Sequence, residues 1–265
     1  MLGTDLVDHL RARHDVIAVD MDVDVTDAGA VVKCVGEVAP DAIIHCAAWT
    51  DVDGAEERED DALRLNGDGT RIVATAAATA DATFIYPSTD YVFDGQANRP
   101  YREDDVTAPL GAYGRTKLAG ERAAREVHPT GTRVARTAWL YGASGPNFID
   151  TMRRLGSERE KVSVVADQFG CPTWTRELAP ALEALIEQPP GIYHTAAGGY
   201  TSWADLARRV FQRAQIDCEV ESITTEEFGR PAPRPEFSAL TSTVPGAPRL
   251  RAWEEAVDDY LRSTS

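Results

Sequence analysis

The sequence predicts an α/β protein with a doubly wound parallel sheet. Its apolar runs are short, rich in β-branched residues and free of polar alternation, which is typical of strands buried on both faces. Stretches of helical character separate these runs, and the resulting β-α rhythm favours right-handed crossovers. Polar residues such as Asp20 and Ser88 directly follow two of the runs, at the edge where such Rossmann-type sheets bind ligands.

The first half of the chain supplies most of the predicted sheet. Helices are predicted at 1–7, 27–38, 60–80 and 112–126. Strands are predicted at 16–19, 42–46, 83–86 and 134–135, with one more at 193–195. Because helices join successive strands, we expect residues 1–141 to form a dinucleotide-binding domain to which residues 174–197 return.

The sequence changes in character after Gly142, where a smaller, mixed α/β module is predicted. Its predicted elements are a helix at 147–155, a strand at 162–165 and a helix that a capping-box pattern opens at Ser202, while a helix predicted at 175–187 belongs to the segment that returns to the first domain. The segment 229–235 has three prolines in seven residues, so it is expected to be an extended loop. We assign residues 142–173 and 198–265 to this substrate-binding module.

The first residues resemble a helix rather than the strand and glycine-rich turn that open a doubly wound fold. Asp20 follows Gly3 by 17 residues, close to the spacing between a dinucleotide-binding glycine motif and the acid that holds the adenosine ribose. We therefore interpret Gly3 as the third glycine of a GxGxxG motif. We expect the first strand and the other two glycines to lie upstream of Met1, and their absence to leave two strands without a ladder partner.

The charge balance is acidic and poor in lysine. There are 43 Asp and Glu residues against 27 Lys and Arg, the formal net charge is −16, and only Lys33, Lys117 and Lys161 are lysines. Such self-repulsion weakens a compact state unless dissolved salt screens it, so we interpret the composition as adaptation to concentrated salt. A merely acidic protein is the alternative. A nucleic-acid partner is disfavoured, because phosphates would be repelled.

The remaining composition is that of a cytoplasmic, globular protein. Hydrophobic residues make up 43% of the chain, and no apolar stretch approaches the ~18 residues that a membrane span needs. Asp5 and Asp8 exclude the apolar core of a signal peptide. The four cysteines form no CxxC pair and have no finger-like spacing with the five histidines, so neither a metal site nor a disulfide framework is predicted.

Tyr113 and Lys117 carry the strongest catalytic signal. Their i, i+4 spacing places a phenol and an ammonium on one helix face, where the lysine lowers the pKa of the tyrosine and can hold a nicotinamide ribose. Ser88, Thr89 and Asp90 lie at the tip of the preceding strand, where a hydroxyl can polarise the carbonyl that the tyrosine protonates. A lone YxxxK is frequent by chance, but this position relative to a strand end predicts a hydride-transfer site.

Several longer segments resemble the extended short-chain dehydrogenase/reductases, and among them the dTDP-4-dehydrorhamnose reductase family. The likeness extends over essentially the whole chain and is more specific than YxxxK alone. The segments are AAWTDVD at 47–53, STDYVFDG at 88–95, YGRTKLAGE at 113–121, RTAWLY at 136–141, DQFGCPT at 167–173 and the loop at 232–235. The sequence departs from the family pattern at 238–241, which lacks an arginine, and at His45, which replaces a frequent asparagine.

The residues and the resemblance together predict three groups of site residues. The resemblance implies that Thr89, Tyr113 and Lys117 are the catalytic trio. The cofactor-binding residues are predicted to be Gly3, Asp20, Asp24, Ala47, Ala48, Tyr113 and Lys117. The substrate-binding residues are predicted to be Thr50, Val52, Asp90, Tyr91, Trp139 and Arg234. For three of them a purely structural role is the alternative to substrate binding: core packing for Trp139, a turn cap for Thr50 and an unliganded surface arginine for Arg234.

The resemblance implies reduction of the C4 keto group of a dTDP-4-dehydro-6-deoxy sugar to give dTDP-L-rhamnose, a precursor of surface polysaccharide. Related dehydratases carry an Asp-Glu pair after the threonine, whereas here Asp90 precedes Tyr91, so simple reduction is favoured over dehydration or epimerisation. A non-catalytic role, like that of the regulatory subunit of methionine adenosyltransferase, is the alternative. The intact catalytic trio argues against it.

The cofactor is NADH or NADPH on the resemblance alone. Asp20, Asp22 and Asp24 would repel a 2′-phosphate, and no arginine stands close to them in sequence, so electrostatics favours NADH. The sequence leaves open a bound Mg²⁺ ion and a homodimer.

Overall fold

The structure is a computed structural model that describes residues 1–264. The strands are β1 (Ala42–Ile44), β2 (Thr83–Thr89), β3 (Thr132–Thr137), β4 (Leu140–Tyr141), β5 (Lys161–Val165), β6 (Phe169–Gly170), β7 (Thr173–Trp174), β8 (Gly191–His194), β9 (Thr201–Ser202) and β10 (Glu219–Ile223). The α-helices are α1 (Leu2–Leu10), α2 (Ala28–Val38), α3 (Val52–Glu57), α4 (Glu59–Leu63), α5 (Thr70–Thr79), α6 (Ala112–Val127), α7 (Phe148–Glu158), α8 (Thr175–Ala184), α9 (Trp203–Ala214), α10 (Thr225–Phe228) and α11 (Trp253–Ser263).

The centre of the fold is a parallel sheet with the strand order β1-β2-β3-β8. Phe84, Ile85 and Tyr86 of β2 and Val134 and Ala135 of β3 have no exposed surface. Burial on both faces explains why these strands are continuous apolar runs without alternation. The predicted parallel α/β sheet is therefore confirmed, as are its strands at 42–46, 83–86, 134–135 and 193–195, with ends that differ by a few residues.

Residues 16–19 do not form the strand that their apolar run predicted. They pair with no strand of the described chain, and Ile17 and Val19 remain 57% and 52% exposed. β1 is the edge strand on this side of the sheet and pairs only with β2. An extended segment needs a neighbouring ladder to satisfy its backbone groups, and here none adjoins it. The prediction of a strand at 16–19 is wrong for this reason.

The helix predicted at 60–80 is present but divided. Between α4 and α5 the backbone forms the π-helical segment Arg64–Gly69. Asn66, Gly67 and Gly69 of this segment are buried, and a Cβ at Gly67 would press on Leu63. The wider π turn displaces the backbone around Asn66, which is a frequent feature of functional sites. The other early helices are confirmed, and the Asp27 side chain caps α2 by accepting from the backbone N–H groups of its first turn.

A second apolar cluster lies in the later part of the chain. It unites residues of α7, α9 and α11 with Tyr141 and Trp174. The Ser202 hydroxyl caps α9 by accepting from the Asp205 N–H at 3.0 Å, as the capping pattern predicted. The segment 229–235 is free of helix and strand, also as predicted. No helix within residues 1–264 is both long and apolar enough to cross a membrane.

Candidate active site

The start of α6 lies against the turn that follows β2. Gly114 permits this close approach, because a Cβ there would overlap the carbonyl oxygen of Tyr91. The Glu56 carboxylate of α3 accepts from the Ala112 N–H at 2.6 Å and so fixes the first turn of α6. These contacts bring the side chains of α6 to the carboxyl end of the central strand, where ligands bind in parallel sheets.

Thr89 and Tyr113 meet at this edge. Thr89 is 6% exposed, and its hydroxyl accepts from the Tyr91 N–H at 3.2 Å and donates to Asp90 Oδ1 at 3.1 Å. Desolvation raises the pKa of Tyr113 to about 12, and a hydrogen bond with the Thr89 side chain partly opposes that rise. Tyr113 therefore carries its proton at neutral pH, as a proton donor to a ketone must.

Lys117 follows Tyr113 by one helical turn in α6 and is 3% exposed. Its Nζ donates to the Pro87 carbonyl at 2.8 Å and stands 4.0 Å from the centre of the Tyr86 ring. Burial lowers the pKa of Lys117 to about 7, while the charge of Glu121 opposes that shift. The lowered pKa predicted for Tyr113 is wrong here, because desolvation of the phenol and the charge of Asp90 raise it.

Asp90 faces the interior of the protein. It is 2% exposed and accepts from the Ser238 hydroxyl at 2.5 Å as well as from Thr89. Burial raises the pKa of Asp90 to about 7, and the hydrogen bonds from neutral hydroxyls and backbone amides oppose that rise only in part. Ser238 stands in the segment that departs from the family pattern, and its structural role is this hydrogen bond between the end of β2 and the late part of the chain.

Arg234 forms an ion pair with Asp53 beside this site. Its Nη2 atom lies 3.0 and 3.1 Å from the two Asp53 carboxylate oxygens, and Asp53 also accepts from the Ala232 N–H at 3.1 Å. The guanidinium hydrogen-bonds with Tyr91, whose pKa is raised by burial. The structure thus brings Arg234 and Tyr91 together, while Val52 opens α3 beside Asp53.

The remaining predicted substrate residues lie on two sides of this site. Thr50 is exposed in the segment after β1. Trp139 follows β3 in the left-handed region (φ 47°) and stacks on Trp203, with 3.5 Å between ring centroids and 4° between planes. The small size of Gly170 accommodates the Trp139 ring, because a Cβ there would overlap it. Trp139 therefore joins the end of the sheet to α9.

The predicted cofactor residues lie on segments near one edge of the sheet. Ala47 is exposed and Ala48 half-buried directly after β1, and Gly3 lies in the first turn of α1 with open space where a Cβ would stand. Exposed backbone after a strand end and a glycine at a helix N-terminus are features that fit a dinucleotide. NAD(P)H fits this chain on that evidence.

Asp20 and Asp24 lie on the exposed turn-rich segment before α2. The Asp20 N–H donates to Asp22 Oδ1 at 3.0 Å, and Asp24 accepts from the backbone and side chain of Thr26. Those bonds, and the positive charge of Arg64, lower the pKa of Asp24. Arg64 is distant in sequence from these acids, so a prediction that considered only sequence neighbours did not include it.

Asn66 was not identified from the sequence. Its amide accepts from the Trp49 N–H at 2.8 Å and donates to Thr116 Oγ1 at 3.0 Å, so it ties the segment after β1 to α6. The only sequence signal was a polar residue beside Gly67 in an otherwise helical stretch. The Asp167 side chain, another family-like position, accepts from the Thr225 N–H and hydroxyl and so braces its own loop.

Comparison with known proteins agrees with this geometry. The sequence matches the family described as RmlD substrate binding domain over residues 1–265. It is 44% identical over 247 residues to the dTDP-4-dehydrorhamnose reductase of Streptomyces griseus, covering 89% of this chain and 81% of that protein. It is 40% identical over 264 residues to the dTDP-4-keto-6-deoxy-D-glucose reductase of Streptomyces niveus, covering 97% and 92%.

A solved structure gives the same result for the fold. The crystal structure of dTDP-4-dehydrorhamnose reductase from Bacillus anthracis in complex with NADP superposes with a TM-score of 0.96 at 39% sequence identity. The superposition covers 99% of this chain and 95% of that one. The arrangement of strands, helices and site segments described above is therefore that of a known reductase fold.

Proposed function

We propose, on the premise that this chain belongs to the RmlD substrate binding domain family, that Thr89, Tyr113 and Lys117 carry out its reaction. The protein is an NAD(P)-dependent oxidoreductase that reduces the C4 keto group of dTDP-4-dehydrorhamnose to give dTDP-L-rhamnose. The observation that carries the residue assignment is the hydrogen bond between the Thr89 and Tyr113 side chains at the end of β2, with the buried Lys117 one helical turn after Tyr113.

NAD(P)H, when bound, supplies the hydride that reaches the sugar carbon. Tyr113 supplies the proton, because its hydroxyl stays protonated at neutral pH. Thr89 is positioned to hydrogen-bond the same carbonyl oxygen and to orient it toward Tyr113. The phenolate that remains on Tyr113 is stabilised by the ammonium of Lys117, which the Pro87 carbonyl holds in place.

The binding residues for the sugar nucleotide are proposed to lie on both sides of this trio. Thr50, Val52 and Tyr91 line the side near α3, and Trp139 lines the side near α9. Arg234 is the proposed diphosphate ligand, since a guanidinium can bind two phosphate oxygens at once. We further propose that residues 142–173 and 198–265 form the substrate module and that 1–141 with 174–197 form the dinucleotide-binding domain.

Dehydration and a purely regulatory role are both less well supported. Tyr91 stands where a dehydratase has its carboxylate base, and a phenol, whose pKa burial here raises further, cannot take that role. A regulatory homologue has no chemical need for a protonated phenol, a threonine hydroxyl and a buried lysine at one strand end. The retained geometry therefore favours catalysis.

The test of this function is nicotinamide absorbance in a mixture of the purified protein, reduced coenzyme and dTDP-4-dehydrorhamnose. We expect the absorbance to fall, and Tyr113→Phe to lower kcat by about 10²-fold or more, because the proton donor is lost. Tyr193→Phe is the matched control: its hydroxyl donates to the Pro189 carbonyl away from the site. No turnover by the unaltered protein would contradict the function, and undiminished turnover by Tyr113→Phe would contradict the residue assignment.

We also propose that NADH is used in preference to NADPH. Asp20, Asp22 and Asp24 set three carboxylates against the single guanidinium of Arg64 on the segment where the adenosine ribose is expected. The excess negative charge there repels a 2′-phosphate. The Bacillus anthracis relative was solved with NADP bound, so similarity to it gives no reason to expect NADH. The proposed preference is argued only from the charges of the present chain.

Coenzyme preference is measured as the ratio of kcat/KM for NADH and NADPH. We expect a ratio above one, a lower ratio in the Asp20→Asn/Asp22→Asn variant, and a higher ratio in Arg64→Gln. The opposite signs of the two variants separate a local charge effect from a general loss of activity. A ratio below one in the unaltered protein would refute the electrostatic argument.

A further inference from the structure

A buried ion pair joins α6 to the central sheet, one helical turn beyond Lys117. Glu121 and Arg136 are each 2% exposed, and two hydrogen bonds of 2.7 and 3.0 Å join the guanidinium to the carboxylate. Ser88 donates to the same carboxylate at 2.5 Å. Glu121 thereby ties α6 to the ends of two strands, since Ser88 belongs to β2 and Arg136 to β3.

These contacts reach the catalytic trio from two directions. Ser88 immediately precedes Thr89 in the chain, so the bond to Glu121 fixes the backbone that presents the Thr89 hydroxyl. Glu121 also follows Lys117 by four residues, which places both side chains on one helix face. The negative charge of Glu121 raises the pKa of Lys117 against the opposing effect of burial.

The other titratable groups around Lys117 act on its pKa less than Glu121 does. His45, on the segment after β1, has its pKa lowered to about 3 by burial and is neutral. Tyr86 of β2 has its pKa raised by burial and is neutral as well. Tyr113 is protonated, and the Cys46 thiol, whose pKa is raised to about 11, has a smaller effect on Lys117 in the same direction as Glu121. Glu121 is thus the carboxylate that acts on Lys117 among the described groups.

We propose that Glu121, clamped by Arg136 and Ser88, is a positioning residue that keeps Lys117 charged and holds Thr89 in register with α6. This proposal rests on the proposed reductase function. The proposal gives the ion pair a role in the reaction. If the pair only joined α6 to the sheet, neutral groups could replace it without loss of activity.

The test is the pH profile of kcat/KM, which reports the titration of the free enzyme. For the unaltered protein we expect kcat/KM to fall as the pH rises through about 7, where Lys117 loses its proton. Glu121→Gln removes the charge that favours the ammonium, so the fall should move to lower pH by about one unit. We also expect kcat at pH 7.5 to drop by about tenfold, with a much smaller change in KM.

Two further variants separate positioning from folding. Glu121→Gln alone leaves the Arg136 guanidinium buried without its partner, which destabilises the fold. Glu121→Gln/Arg136→Met removes both charges, so its melting temperature should recover while its pH profile stays displaced. Glu126→Gln is the matched control, because Glu126 is an exposed acid of the same helix that pairs with Arg71 at 2.7 Å. Its profile should coincide with that of the unaltered protein.

The results distinguish this proposal from the function on which it rests. If the unaltered protein turns over the keto sugar and Glu121→Gln keeps the same pH profile, the positioning role is overturned and the reductase function stands. A double variant that recovers both the melting temperature and the profile would also overturn it. If the unaltered protein has no activity, both proposals fail together.

Discussion

Asp90 shows how a single buried carboxyl couples the site to pH. Desolvation raises its pKa from 3.8 to about 7, and hydrogen bonds from Ser238 and Thr89 oppose that rise only in part. The folded protein therefore binds a proton at Asp90 more tightly than the unfolded chain does. Its contribution to the free energy of unfolding is fully present below about pH 4 and is lost as the pH rises through about 7.

The variant Asp90→Asn isolates this effect, because an amide keeps the shape of the acid and does not titrate. We expect the stability of Asp90→Asn relative to the unaltered protein to increase by roughly 2 to 4 kcal/mol between pH 4 and pH 8. Urea unfolding at a series of pH values measures it, with the exposed Asp41→Asn as the control. A constant difference across that range would contradict the buried, protonated state of Asp90.

The sequence alone was enough to propose the catalytic residues, but it did not predict what surrounds them. Tyr113 and Lys117 could be identified because a four-residue spacing already fixes a shared helix face. The partners of Glu121 lie on two strands, and only the fold brings them together. The raised pKa of Tyr113 has the same origin, since the spacing predicts a neighbouring charge but does not predict desolvation.

Among the elements, those buried on both faces were predicted most securely. β2 and β3 are continuous apolar runs with turn residues at their ends, and their pattern alone determines where they lie. The run at 16–19 has the same apolar character and yet forms no strand. A strand depends on a neighbouring ladder as much as on its own side chains, and the sequence of one segment carries no information about that neighbour.

The divided helix between α4 and α5 illustrates a second limit. Its apolar periodicity predicted one helix over 60–80, and all but the π segment Arg64–Gly69 follows that prediction. The π turn is stabilised by tertiary contacts: the Asn66 backbone carbonyl accepts from Thr70 and Tyr86, and its side chain reaches Trp49. Those contacts join the helix to the sheet and the site, and they leave no mark on helical periodicity.

At the scale of the whole molecule, charge is the dominant property. The chain carries 43 acidic and 27 basic residues, and several acids stand close together on the surface, among them Asp20 and Asp22 before α2 and Asp60 and Asp61 in α4. Exposed ion pairs such as Arg71 with Glu126 offset part of the repulsion. Because acids outnumber bases by sixteen, many acids have no cation to pair with, and repulsion among them exceeds attraction across the pairs.

Salt should therefore stabilise this protein. Screening weakens the surface ion pairs and the repulsion alike, but each exposed pair contributes little, so the loss of repulsion is the larger effect. We expect the melting temperature to rise by about 4 °C or more between 0.1 and 2 M KCl. Sucrose at equal osmolality is the control, since an excluded but uncharged solute leaves the repulsion unscreened. A melting temperature that does not move with KCl, or that sucrose raises equally, would show that the acidic surface is not an adaptation to salt.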